Sequence, residues 1–131
     1  MKAFIVEIEN RAGQLFRVVG ALGAAQINIE TGAGIGLSDT GGFGFVADDE
    51  AGARKALEAA GILFKMVDVV LANVPDEAGG LARAAQRLAN AGVNVQFVVP
   101  TRMGTDRMGV AFGVNDEAAA RTALGDLAAD S

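Results

Sequence analysis

The chain contains neither cysteine nor histidine. Without cysteine there are no disulfides, thiolate metal ligands or thiol nucleophiles. Without histidine, the commonest general base and the commonest transition-metal ligand are missing. These absences exclude several enzyme classes, and we identify no other catalytic set in the sequence. We therefore expect a protein without enzymatic activity, cofactor or metal.

Clustered positive charge and long apolar runs are also absent. Sixteen acidic and eleven basic residues give a net charge of −5, which disfavours binding to a phosphate backbone. No apolar run approaches the ~18 residues of a membrane span. The N-terminus leads directly into a strand pattern, without the features of a signal peptide. We expect a soluble cytoplasmic protein that binds neither nucleic acid nor membrane.

The sequence repeats itself at an offset of 66 residues in its first part and 67 further on. The matching pairs include Gly13 and Gly79, Leu15 and Leu81, Arg17 and Arg83, Leu22 and Leu88, and Phe45 and Phe112. Self-similarity of this kind reports a repeated architecture. It predicts two domains of similar fold, residues 1–67 and 68–131.

Each half alternates strand and helix patterns in the order βαββα, followed by an extended run. This order predicts an α+β protein of two ferredoxin-like βαββαβ units, each an antiparallel sheet with helices on one face. Residues 62–74 are expected to form one strand that serves both halves. The second unit would then lack its own last strand, and its open sheet edge would invite a partner chain.

Strand alternation predicts which residues lie on the sheet face without helices. If the helices cover the face bearing Ile27, Ile29, Phe43 and Phe45, the opposite face carries Asn28, Glu30, Gly32, Gly34, Gly36, Gly42 and Gly44. The same open faces would carry Ile5, Leu71 and Val98. A row of glycines leaves a sheet bare for another chain or a ligand, which favours a dimer. The alternative is a flexible glycine-rich hairpin.

Adjacent carboxylates occur at Asp48, Asp49 and Glu50 and again at Asp116 and Glu117. They resemble metal ligands, but each group stands where a helix is predicted to begin. Acidic residues there cap the helix and stabilise its dipole. We interpret both groups as helix caps.

Two strand-to-helix turns contain a glycine, Asn10-Arg11-Ala12-Gly13-Gln14-Leu15 and Asp76-Glu77-Ala78-Gly79-Gly80-Leu81. The first N–H groups of a helix have no partner within it, so such a turn suits a carboxylate. The alternative is a tight turn that needs glycine only for its backbone angle. The turn recurs together with an asparagine, Asn28 or Asn94, at the start of the second strand, which favours a binding role.

These turns, with Gln26-Ile27-Asn28-Ile29 and Ala91-Gly92-Val93-Asn94-Val95, resemble the ACT domain in tandem. The resemblance spans residues 2–127 and is greatest to small stand-alone bacterial proteins made of two ACT domains. It implies ferredoxin-like units that pair with one another and bind amino acids between them. The family usually has proline before the turn glycine, where this chain has Ala12 and Ala78.

The resemblance implies a ligand held by the first strand-to-helix turn of one unit and the start of the second strand of a neighbour. Carried over to the first half, the ligand-binding residues are Asn10, Arg11, Ala12, Gly13, Gln14 and Leu15 with Asn28 and Ile29. In the second half they are Asp76, Glu77, Ala78, Gly79, Gly80 and Leu81 with Asn94 and Val95. Arg11 suits a carboxylate, whereas Asp76 and Glu77 would repel one, so the first turn is the favoured site.

Two functional hypotheses follow. The first is a regulatory protein that binds an amino acid at an interface between ACT domains of a homodimer. The second is a ligand-independent interaction module, or regulatory subunit, that contacts a metabolic enzyme. An RNA-binding sheet would need aromatic residues on its open face, and an acylphosphatase-type enzyme would need an arginine anion cradle. Neither set is found in this sequence.

Overall fold

The structure is a computed structural model that describes residues 1–129. Its strands within that range are β1 (Lys2–Glu9), β2 (Ile29–Leu37), β3 (Thr40–Ala47), β4 (Lys65–Pro75), β5 (Val95–Met103), β6 (Arg107–Val114) and β7 (Ala128–Ala129). The helices are α1 (Gln14–Ala24), α2 (Glu50–Ala59), α3 (Gly80–Asn90) and α4 (Glu117–Leu124), and a 3-10 turn follows at Gly125–Leu127. None of the described helices is long and apolar enough to cross a bilayer.

The chain forms two compact units. The first comprises Lys2–Met66, and the second comprises Met1 and the chain from Val67 onward. In the first, β3 lies between β1 and β2; in the second, β4 pairs with β6 and β7, and β6 with β5. All these pairs are antiparallel, which confirms the α+β class and the repeated βαββαβ order. The domain boundaries 1–67 and 68–131 stay a prediction.

In each unit two helices pack on one face of the sheet. In each helix, two buried apolar side chains lie four positions apart, the spacing that places both on one side of a helix. The pairs are Val18 and Leu22 in α1, Ala53 and Leu57 in α2, Ala84 and Leu88 in α3, and Ala120 and Leu124 in α4. Beneath the first pair of helices, the rings of Phe4 and Phe45 stack with centroids 5.1 Å apart. The apolar residues that repeat in the sequence thus form the two cores.

The strand at the junction is continuous. β4 runs from Lys65 to Pro75 without a reversal, as the hypothesis of one shared strand requires, although it begins three residues later than predicted. Its first two residues belong to the first unit and the remainder to the second. Valine and leucine dominate its middle, and no glycine interrupts it, so the chain has no local reason to turn there.

The expectation that the second unit lacks its own last strand is wrong. Ala128 and Ala129 form a short strand that pairs antiparallel with Ala72 and Leu71 of β4. α4 ends at Leu124 because Gly125 adopts a φ of 54°, outside the helical range. The 3-10 turn then buries Leu127 and directs the chain back along β4.

The predicted row of open-face glycines is wrong for β2. A bulge between Ile29 and Thr31 shifts the pairing by one residue, so Gly32 lies opposite Phe45 and Gly34 opposite Phe43. Cross-strand neighbours share a face, so these glycines lie on the helix-bearing side. A Cβ on Gly32 would lie 3.1 Å from the Phe43 ring.

The same shift occurs in β5 between Val95 and Phe97 and places Val98 opposite Phe112, again on the helix-bearing side. The prediction that Val98 lies on the open face is therefore wrong for the same reason. Gly42 and Gly44 pair with Glu7 and Ile5 of β1, on the open face as predicted. Counting alternate residues along a sequence predicts the wrong sheet face after a bulge, because the extra residue moves every later side chain to the opposite face.

Candidate functional site

The two strand-to-helix turns have the same backbone geometry. The Asn10 N–H donates to the Asp39 carbonyl at 2.9 Å, and the Asp76 N–H donates to the Asp106 carbonyl at 2.8 Å. Each bond ties a turn to the tip of the neighbouring hairpin. The first helical bonds also correspond: Arg17 N–H to Gly13 O is 3.1 Å, and Arg83 N–H to Gly79 O is 3.0 Å. The repeat thus preserves the backbone of the turn.

Glycine begins the helix in both turns. Gly13 and Gly79 have φ values of 90° and 87°, a left-handed conformation that side chains other than glycine rarely adopt. Among residues 1–129, no side chain caps α1 or α3. In contrast, the Asp49 and Asp116 carboxylates accept hydrogen bonds from the first turns of α2 and α4. This confirms the capping interpretation for Asp49 and Asp116.

The polar side chains of the first turn are engaged within the unit. The Asn10 amide Nδ2 donates to the Ser38 carbonyl at 2.9 Å. The Arg11 guanidinium pairs with the Glu9 carboxylate. The hydrogen bond from Arg11, and secondly its positive charge, hold the pKa of Glu9 below its ordinary value. Both side chains thus have partners within the unit, and their predicted role in ligand binding stays a prediction.

Arg17 is a cationic residue near the first turn that was not among the ligand-binding residues predicted from the sequence. It stands on the first turn of α1, four residues after Gly13, and is exposed. Within the described chain it has no ion-pair partner, whereas Arg11 pairs with Glu9. Its match with Arg83 in the repeat was visible in the sequence, but its unpaired state depends on where Arg11 points.

A depression of about 500 Å³ opens beside the first turn. Its lining includes one basic residue, Arg17 of α1, and two acidic residues, Glu7 and Glu9 of β1. The remaining lining residues are Ile8, Thr40, Gly61, Ile62 and Leu63. A cation and carboxylates around one depression are complementary to a small molecule that carries both charges.

The other residues predicted in this turn lie at its rim. Ala12 and Gly13 are exposed, Gln14 is half-buried at the start of α1, and Leu15 keeps 49% of its surface exposed. A Cβ on Gly13 would meet no atom within 4 Å. The turn is thus open to an approaching group, and glycine is required there for its backbone angle alone.

The second turn differs in its side chains. Glu77 pairs with Arg83 at 3.5 Å, so the arginine that corresponds to Arg17 already has an acidic partner. Gly80 is buried, and a Cβ there would lie 2.0 Å from the Pro75 carbonyl oxygen. Asp76, Ala78, Gly79 and Leu81 are exposed. This turn presents a net negative surface to any ligand.

The asparagines that begin the second strands lie at the other end of each unit. The Asn28 N–H donates to the Asp48 carboxylate at 3.0 Å, and the Asn94 N–H donates to the Asn115 side chain at 2.9 Å. β2 runs for nine residues from Ile29 to Leu37, where the hairpin that contacts Asn10 begins, and so spans roughly 26 Å. Within a unit, the structure therefore does not bring Asn28 and Ile29, or Asn94 and Val95, to the turn.

A second depression, also about 500 Å³, lies on the open face of the first sheet. Its floor includes Gly42, and Glu7 and Lys65 contribute charges of opposite sign. No group of three or more acidic side chains in residues 1–129 is arranged to hold a metal ion.

Comparison with known proteins identifies a family and a similar solved structure. A family model described as an ACT domain pair matches residues 1–125. Protein BT0572 from Bacteroides thetaiotaomicron has a similar structure, with a TM-score of 0.77 at 23% identity over 97% of this chain and 91% of that one. A search of curated protein sequences found no match.

Two regulatory subunits of aspartate kinase share the fold as well. The ligand-free subunit from Thermus thermophilus has a TM-score of 0.67 at 17% identity, over 96% of this chain and 90% of that one. The subunit from Thermus flavus has a TM-score of 0.64 at 17% identity, over 95% and 90%. At these identities, the likeness establishes the fold.

Proposed function

Because the chain belongs to the ACT domain pair family, we propose that it is a non-enzymatic regulatory protein that binds an amino acid at its first strand-to-helix turn. The site is the uncapped N-terminus of α1 with the depression beside it. The observation that carries this proposal is that Arg17, which has no ion-pair partner among residues 1–129, lines that depression together with Glu7 and Glu9.

The ligand's carboxylate is expected at Arg17 and the start of α1. A helix N-terminus stabilises an anion by a few tenths of a kcal/mol to about 2 kcal/mol. A guanidinium adds charge-assisted hydrogen bonds of defined geometry. Glu7, which has no ion-pair partner in the described chain, is suited to accept the ammonium group. An α-amino acid carries both groups on adjacent carbons.

Asn28 and Ile29 enter this proposal through a neighbouring unit. The length of β2 keeps them from the turn of their own unit. In a cytoplasmic homodimer, the start of β2 from one ACT domain would complete the site at the turn of another. A ligand held by two domains stabilises only the arrangement that brings both parts together, and this is the basis for regulation.

The test is isothermal titration calorimetry with the twenty amino acids. We expect one or a few to bind, and Arg17→Gln to weaken binding about tenfold or more, since it removes a charge-assisted contact. Arg54→Gln is the matched control, because Arg54 is an exposed arginine on α2 that pairs with Glu58. Absence of binding across the panel would overturn the proposal.

A second candidate function is a regulatory subunit that contacts a metabolic enzyme without a ligand. The fold shared with two aspartate kinase regulatory subunits favours it. Affinity capture from cell extract, with and without the amino-acid panel, separates the two candidates. Recovery of one metabolic enzyme to the same extent under both conditions would support the second candidate.

A further inference from the structure

The depression on the open face of the first sheet, here called the open-face depression, is lined by side chains that the core leaves free. Ile5 and Glu7 alternate along β1 with residues of the first core, so both lie on the face without helices. Lys65, at the start of β4, likewise lies between two residues that pack against that core. Leu63 is 89% exposed. All four residues line the open-face depression.

Gly42 provides the open space. On β3 it lies opposite Glu7 of β1 on one side and opposite Ile35 of β2 on the other. Cross-strand neighbours share a face, so three positions stand in a row and the middle one carries no side chain. A Cβ on Gly42 would meet only the Val6 carbonyl oxygen, at 3.7 Å. Ile35 is 65% exposed, so one wall of this row is apolar.

Two charges of opposite sign line the open-face depression, those of Lys65 and Glu7. Neither residue has an ion-pair partner among residues 1–129. Small-molecule sites are depressions of roughly 300–1,000 Å³ that combine an apolar lining with a few polar groups. The open-face depression, at about 500 Å³, has this size and this composition.

The equivalent position of the second unit differs in both space and charge. Asn73 of β4 lies opposite Gly109, as Glu7 lies opposite Gly42. A Cβ on Gly109 would lie 2.6 Å from the Thr101 Oγ1, so a side chain already occupies the space there. Asparagine is also neutral where the first unit has a carboxylate. The open space and the negative charge therefore have no equivalent at this position of the second unit.

We propose that the open-face depression is a second ligand site, which binds an α-amino acid with an apolar side chain. Lys65 receives the carboxylate of the ligand, and Glu7 receives its ammonium group. The apolar side chain lies over Gly42, between Ile5 and Ile35, where it removes apolar surface from water. This site goes beyond the proposed function, which places an amino acid at the first strand-to-helix turn.

The test is isothermal titration calorimetry of the full chain with leucine, phenylalanine and glycine. We expect leucine or phenylalanine to bind wild type, and glycine to bind about tenfold more weakly or worse, because it has no side chain to bury. Lys65→Gln should weaken the binding of the apolar amino acid about tenfold or more, since it removes a charge-assisted contact. The matched control is Lys55→Gln, because Lys55 is an exposed lysine of α2 outside the depression.

Gly42→Val tests the open space itself. Gly42 has no positive φ, and β-branched residues suit a strand, so the variant is expected to fold. Its side chain would fill the space over β3 and weaken binding about tenfold or more. Gly42→Ala adds a single carbon and should weaken binding less. If circular dichroism shows that Gly42→Val is unfolded, Lys65→Gln and its control decide.

Two results would overturn the inference. One is the absence of binding by both leucine and phenylalanine. The other is an affinity that stays unchanged in Lys65→Gln or in a folded Gly42→Val. Equal weakening by Lys55→Gln would likewise show that the effect of Lys65→Gln comes from net charge, and it would overturn the assignment of Lys65.

Arg17→Gln in the same titrations separates this inference from the proposed function. The two depressions share Glu7 and Leu63, whereas Arg17 lines only the one beside the turn and Lys65 only the open-face depression. Binding weakened by Lys65→Gln but not by Arg17→Gln would keep this inference, even if no amino acid binds at the turn. The reverse result would keep the proposed function and overturn this inference. Weakening by both variants would indicate one site across both depressions, and it would overturn the inference of a separate one.

Discussion

The two strand-to-helix turns have the same backbone but opposite charge. Both begin a helix with a left-handed glycine and bond to the tip of a hairpin. The first carries Arg11 and Arg17 against Glu9, whereas the second carries Asp76 and Glu77 against Arg83. The backbone of the repeat is thus maintained by glycine and main-chain hydrogen bonds, which leaves the side chains free to differ.

This difference in charge explains why two equivalent arginines of the repeat differ in their ion pairing. Arg17 and Arg83 stand on the same turn of equivalent helices. Glu77 neutralises Arg83, but the residue that corresponds to Glu77 is Arg11, which pairs with Glu9 instead. Arg17 is left available for a ligand. A single change of sign in a turn therefore separates a candidate binding site from an internally paired surface.

Gly80→Ala in the second turn is the substitution expected to have the largest effect on stability. Its Cβ would lie 2.0 Å from the Pro75 carbonyl, so the backbone of the second turn must shift. We expect a loss of about 3 kcal/mol or more in unfolding free energy, measured by chemical denaturation. The matched control is Gln14→Ala in the first turn, expected within about 0.5 kcal/mol of wild type. Equal stabilities would show that the turns are not packed as described.

Gly13→Ala and Gly79→Ala test whether the two turns are equivalent as backbone. Both glycines have φ near 90°, a conformation that destabilises alanine by about 1–2 kcal/mol. We expect similar losses in thermal or chemical unfolding. Gly23→Ala in α1 is the control, because it has open space and no positive φ and should be stabilising by about 0.5–1 kcal/mol. A large loss at only one turn would contradict the equivalence.

The sequence predicted the repeat, the element order and the turn glycines, because apolar spacing and glycine are local signals. It failed where a local irregularity changes everything after it. The bulges after Ile29 and Val95 reverse the faces of β2 and β5, and no residue type announces them. Gly125 ends α4 at Leu124, and the residues that follow form a last strand. In the site, the sequence pointed to Arg11 as the residue that receives an anion, which stays a prediction. Its pairing with Glu9 could not be foreseen, because residue spacing does not specify side-chain geometry.

Removing the acids of the second turn should make it behave like the first. The double substitution Asp76→Asn and Glu77→Gln frees Arg83 from its 3.5 Å ion pair. Because this pair is exposed, we expect stability within about 0.5 kcal/mol of wild type. Calorimetry with the amino acid that binds wild type should show additional binding sites. Their affinity should be at most about tenfold weaker than that of the first turn. Unchanged stoichiometry would indicate that the depression beside Arg17, rather than the turn, determines binding.

The smallest expected effect is a pH dependence specific to the first turn. Arg11 lowers the pKa of Glu9 in the folded state from its ordinary value of 4.5. A carboxylate with a lowered folded pKa contributes stability that is present above the unfolded pKa and is lost as the pH falls through the folded pKa. Between about pH 6 and pH 3, wild type should therefore lose slightly more stability than Glu9→Gln in parallel denaturation curves. Pro75 occupies the corresponding position of the second turn, so this pair has no counterpart there. Identical pH profiles for wild type and Glu9→Gln would mean that the Glu9–Arg11 pair does not form in solution, and Arg11 would then join Arg17 as a group available to a carboxylate.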